Sequence, residues 1–154
     1  MRRGLLAVAL AGIVAGCGPF WDGVGGSSDE IADAVASGKP FRLADVTDFD
    51  WDRFYVVGPY MSNEHVDRRL GFDWGKAENS DYRLQEGGSL LVFVRDGEVV
   101  HAFDQPNTDG YFVCLGNEPV TPEQAMLRVK QVREGGVALD YVLRPGRVSR
   151  SCPL

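Results

Sequence analysis

The chain has 154 residues, 44% of them hydrophobic and 25% charged, which suits one globular domain with a real core and leaves little room for a second. Its formal net charge of −6 offers no positive surface to displace counterions from phosphate, so nucleic acid is excluded as a partner. Nineteen glycines and eight prolines demand many turns, which excludes a long helical bundle and favours a sheet with a few short helices.

At the amino terminus, Arg2 and Arg3 precede a run, residues 4–16, that carries no charged or strongly polar side chain. A positive start followed by a short apolar stretch is the layout of a secretory signal peptide. As a helix this run would span about 20 Å, short of the roughly 30 Å hydrocarbon core, so a permanent transmembrane helix does not fit. A buried helix of a cytosolic domain fits no better, because the run has neither a polar face nor a cap.

Val14, Ala15, Gly16 and Cys17 resemble the lipobox of bacterial lipoprotein precursors, with Val14 where leucine is usual. The resemblance covers this segment alone. It implies that Cys17 receives a diacylglyceryl group on sulfur, that the chain is cut before it, and that the new amino terminus is acylated. Two or more acyl chains anchor a protein stably where one gives marginal binding. Gly18 after the cysteine resembles the pattern of lipoproteins passed to the outer membrane. The expected location is therefore the periplasmic face of the outer membrane in a host with two membranes, and otherwise the outer face of the cell membrane.

Residues 17–27 are rich in Gly and Ser and read as the lipidated cysteine and a flexible tether, leaving 28–154 as a single globular domain. Loss of residues 1–16 leaves 14 basic and 22 acidic residues, a net charge of −8. Anionic lipid repels such a body, so the acyl anchor alone is expected to hold it at the membrane.

Within that domain, Ser27 and Glu30 form a capping box, and Ile31, Ala34 and Val35 share one helical face before Gly38 ends the helix. "FRLADV" (41–46) and "RFYVVG" (53–58) predict strands from their β-branched and aromatic content. Ser62 predicts the cap of a second short helix, with Met61 and Val66 as a hydrophobic staple, Val66 and Leu70 facing the core and Gly71 as the stop. In "SLLVFVRDGEVVHAF" two apolar runs meet at Asp96 and Gly97, the pair that tolerates the positive φ angles of a type I′ hairpin. "YFVCL" (111–115) predicts another strand. Thr121, Pro122 and Gln124 then predict a helix over 122–134, with Ala125, Met126, Val129 and Val132 as its apolar stripe and Gly135 as its stop. "VALDYVLRP" (137–145) closes as a strand. The expected architecture is α+β: a small, mostly antiparallel sheet with two or three short helices packed on it, the 122–134 helix covering one face.

With Cys17 lipidated, Cys114 and Cys152 are an even pair in an oxidising compartment, which argues for a disulfide constraining the unfolded chain by about 4 kcal/mol. Motifs for nucleophilic, zinc or phosphate chemistry are missing: no Gly-x-Ser-x-Gly, no His-Glu-x-x-His, no phosphate loop, no Cys-x-x-Cys. His65 and His101 read as surface or core-bonded histidines; an acid/base site with Asp104 or another carboxylate is the less favoured reading.

Asp48, Asp50 and Asp52 alternate with Phe49 and Trp51, so an extended chain places carboxylates on one face and rings on the other. Positions six and twelve of the window, Arg53 and Pro59, exclude an EF-hand, and rings packed into the core are favoured over a looser calcium site. This stretch is similar to segments of small exported bacterial proteins of unassigned activity, which implies no mechanism. Trp51, Tyr60, Trp74, Arg68 and Arg69 are the candidate contact residues, since aromatics and arginine dominate binding hot spots. No cofactor or metal is implied. The expected function is that of a lipid-anchored envelope protein whose non-catalytic domain binds another envelope protein. Two other readings stand behind it: an envelope hydrolase or glycan-binding accessory lipoprotein using scattered carboxylates, and a structural or stress-response lipoprotein.

Overall fold

The structure, a computed structural model, describes residues 27–83, 86–112, 118–131 and 137–141. The expectations for the signal segment, Cys17 and the tether as far as residue 26 lie outside these residues, as do those for Cys114 and Cys152.

The chain folds as an α+β domain. Helix α1 (Ser27–Ala36) leads to a short strand β1 (Phe41–Arg42), then β2 (Arg53–Val57), helix α2 (Asn63–Leu70), β3 (Gly88–Arg95), β4 (Glu98–Pro106), β5 (Met126–Gln131) and β6 (Val137–Tyr141). The strands form two antiparallel sheets, β1-β5-β6 and β2-β3-β4, where the sequence had predicted one.

Local signals placed most of these elements. The Ser62 side chain accepts from the His65 N–H at 3.3 Å, and Gly71 adopts φ +86° at the other end of α2, a left-handed cap that suits glycine. Asp96 and Gly97 sit at φ +53° and +82°, as a type I′ turn requires, and close β3 onto β4. A bulge between Phe93 and Val94 shifts the register, so that Phe93 faces His101 while Val94 faces Val99.

The β2-β3-β4 sheet is the middle layer. On one face Phe54, Val56, Leu91, Phe93 and Phe103 pack against Ile31 and Val35 of α1, with Leu43, Phe112, Val120, Ala125 and Leu127. On the other, Tyr55, Val57, Leu90, Val92 and Ala102 pack against Val66 and Leu70 of α2 and against Ala77. Covered on both sides, the central strand β3 is buried from Gly88 to Val94, which is why its sequence is a continuous apolar run rather than an alternation.

Three predicted elements differ. The helix expected over 122–134 is instead strand β5, followed by residues outside the described set. Its start signal is real but produces one turn: the Gln124 side chain accepts from Thr121 N–H at 3.2 Å, and Ala125 N–H reaches Thr121 O at 3.0 Å. Ala125 O then accepts from Leu43 N–H at 2.9 Å, and Met126 and Leu127 pair with Arg42 and Phe41, so the backbone leaves the helical path for the sheet. The strand predicted over 41–46 stops at Arg42, because Leu43–Asp45 form a 3-10 turn that buries Leu43. Tyr111 and Phe112 belong to no strand, and 113–115 of that predicted strand lie outside the described residues. The last predicted strand is β6 over Val137–Tyr141; 142–145 lie outside.

Candidate functional site

The segment between the 3-10 turn and β2 has the alternation read from its sequence. Asp48, Asp50 and Asp52 are exposed, Phe49 is half-buried and Trp51 is buried. Its two rings are held firmly. Trp51 Nε1 donates to Thr47 Oγ1 at 3.0 Å, and the indole lies 5.5 Å from Phe93 and 6.2 Å from Phe54. Phe49 meets Phe93 edge-on at 5.0 Å and stacks on His101 at 4.5 Å.

Two of the carboxylates fasten the β3-β4 hairpin. Asp50 accepts from Arg95 Nη1 at 2.8 Å; Asp52 accepts from the Asp96 N–H at 2.9 Å, while its own N–H donates to Val94 O. Beside them runs a shallow groove of about 310 Å³ lined by Ala44, residues 47–51 and Pro122. Its walls combine an aromatic edge, a hydroxyl and exposed carboxylates. Such a lining can hold a cationic or hydrogen-bond-donating group.

The five predicted contact residues do not converge. Trp51 is only 7% exposed and belongs to the core on the α1 side of the middle sheet, whereas Trp74 packs on the α2 side. Arg69 is structural: its Nη1 donates to Val56 O at 3.0 Å and approaches Met61 Sδ at 3.7 Å. Burial pulls its guanidinium below the usual value, opposed by Tyr55 and Glu118. Together with the Phe54–Val120 backbone pair, Arg69 covers the outer edge of β2. Arg68 stays exposed near Glu64 at 3.9 Å, a pairing of little energetic weight. Tyr60 is 65% exposed in the turn that follows β2.

The acid/base reading fails for one pair. His101 packs with Phe49 and Phe103 on the α1 side, while Asp104, three residues on and so on the opposite face, accepts from Ser80 on the α2 side. His65 is exposed on α2. Among the described residues no three His, Cys, Asp or Glu side chains gather as a metal site.

Sequence reasoning missed the polar cluster at Asp104. Its Oδ1 accepts from Ser80 Oγ at 2.5 Å and its Oδ2 from Asp81 N–H at 2.7 Å, while Ser80 Oγ also accepts from Tyr82 N–H at 3.2 Å. Ser80 and Asp104 are 24 positions apart with no motif between them. Only the fold brings them together. In comparisons with known proteins, the chain matches no family model, no curated protein and no solved structure.

Proposed function

We propose that this chain is a lipid-anchored protein of the cell envelope, tethered through acyl groups on Cys17, whose folded portion binds another envelope protein and performs no chemistry. The observation that carries the reading is the order of the first residues: two arginines, a short apolar run, then Ala15, Gly16 and Cys17. Helix α1 opens at Ser27, so the Gly- and Ser-rich stretch after Cys17 is available as a spacer between membrane and fold. The anchor places the protein at the periplasmic face of the outer membrane in a two-membrane host, and at the outer face of the cell membrane in a host with one. A disulfide between Cys114 and Cys152 belongs to the same reading, since export delivers both thiols to an oxidising compartment.

Of the predicted contact residues, Tyr60 and Arg68 are the accessible ones and form the proposed contact set. The test is affinity capture on the lipidated protein from detergent-solubilised membranes. The expected result is one stoichiometric protein, retained by wild type and lost by Tyr60→Ala. Retention of glycan instead, or turnover of an envelope polymer by the purified domain, contradicts the proposal.

A further inference from the structure

The two 3-10 turns after α2, Ala77–Asn79 and Asp81–Arg83, lie across one end of the middle sheet on its α2 side. We propose that residues 77–82 form a strap that opens and closes over this end of the sheet, with the Asp104 carboxylate as its latch.

Three observations support this. First, the strap's internal bonds are the short-range kind that 3-10 turns make, Asn79 N–H to Lys76 O at 3.1 Å and Ser80 N–H to Ala77 O at 3.2 Å. Second, the hydrogen bonds that tie the strap to β4 end on one side chain: both Asp104 oxygens are engaged, one by Ser80 and one by Asp81. Other attachments are the Asn63 to Glu78 bond at 3.1 Å, the buried Ala77 and Ser80, and the Tyr82 ring. Third, the seat is shaped for that ring. A Cβ added to Gly88 would lie 2.1 Å from Tyr82 Cε2, so β3 keeps a bare backbone where the ring lies down. Lifting the strap would uncover Val57 and Leu90, which share a water-sized cavity with Ala77 and Ser80.

The latch is coupled to protons. Burial pushes the Asp104 carboxyl above its ordinary value, the charge of Asp81 adds to this, and the bonds from Ser80 and Asp81 oppose it. The titratable groups facing it are Asp81 and Tyr82 on the strap, and Tyr82 in turn feels Asp109 beyond β4; β3 brings none, presenting Gly88 and Leu90. When the strap opens, Asp104 meets water and returns to the ordinary value, so closing takes up a proton. Closure is therefore strongest below the ordinary carboxyl value and is lost as pH rises through the raised one.

Amide hydrogen exchange on the full chain tests this, read at Asn79 to Tyr82 against Leu91 to Phe93 of β3. After correction for intrinsic chemistry, the strap amides should exchange at least about tenfold faster than those of β3. Their protection should fall as pH rises through the raised value of the Asp104 carboxyl. Asp104→Asn should flatten that pH dependence, and Asp104→Ala should raise strap exchange about tenfold with β3 unchanged. Should Asp104→Ala not fold, Ser80→Ala removes one of the two bonds and should raise strap exchange several-fold. Equal exchange of strap and β3 in the wild type, or strap exchange indifferent to these substitutions, overturns the strap; a flat wild-type pH profile overturns its coupling to protons.

Discussion

Tyr60 holds a backbone conformation that a bulky residue seldom adopts, with φ at +63°, and it does so with its ring in water. Left-handed geometry costs an L-residue about 1–2 kcal/mol, and little packing at a side chain this exposed offsets it. Asn tolerates this conformation better than Ala does. Tyr60→Asn should therefore be about 0.5–1 kcal/mol more stable than Tyr60→Ala in chemical denaturation; equal stabilities would show that the backbone there is unstrained. The position is a natural place for a binding residue, because strain retained at an exposed site calls for a reason other than stability. Exposure and strain were not legible in the sequence, where Tyr60 looked like Trp51 and Trp74. What separates the three is tertiary. Trp51 is drawn inward by Thr47, Phe54 and Phe93, while Trp74 gives its backbone N–H to Asp67 at 2.9 Å and lies against the α2 core. The partner of Arg69 was illegible for a similar reason, since the carbonyl it caps, on Val56, comes from a different element.

Elements were legible where their signals were local. The Ser62 and Gly71 caps of α2, and the Asp96-Gly97 turn, depend on backbone geometry within a few residues, and each formed where the sequence placed it. Strand β5 shows the limit of that reasoning. Ala125, Met126, Val129 and Val132 suit a helical period, but Leu127 buried, Arg128 exposed and Val129 half-buried fit the two-residue period of a strand equally well. The decision came from β1 and β6, which offer hydrogen bonds on both sides of β5. This assignment makes a prediction at an exposed position. Arg128→Thr should be at least as stable as Arg128→Ala, by up to about 1 kcal/mol, because a strand favours the β-branched residue; a clear advantage for Ala in thermal denaturation would indicate a helix instead. The groove was half legible for the same reason. Residues 48–51 announced themselves by alternation, whereas Pro122 reaches the groove only because the turn at Thr121 and the Leu43 to Ala125 bond carry it there.

On the scale of the whole molecule, Phe93 joins the layers. Its ring lies 5.0 Å from Phe49 and from Phe54, 5.5 Å from Trp51 and 5.7 Å from Phe103, so β2, β4 and the segment before β2 all meet on one side chain. Among the described residues, this core begins at Ile31. A body of net charge −8 has no attraction for anionic lipid, so in the proposed account the membrane is held by Cys17 alone. The most direct measurement is mass spectrometry of the amino-terminal peptide from protein purified out of the membranes of its own cells. The account predicts a chain that begins at Cys17 and carries the mass of a diacylglyceryl group and a further acyl chain. A peptide that begins at Met1, or an unmodified Cys17 thiol, would contradict it.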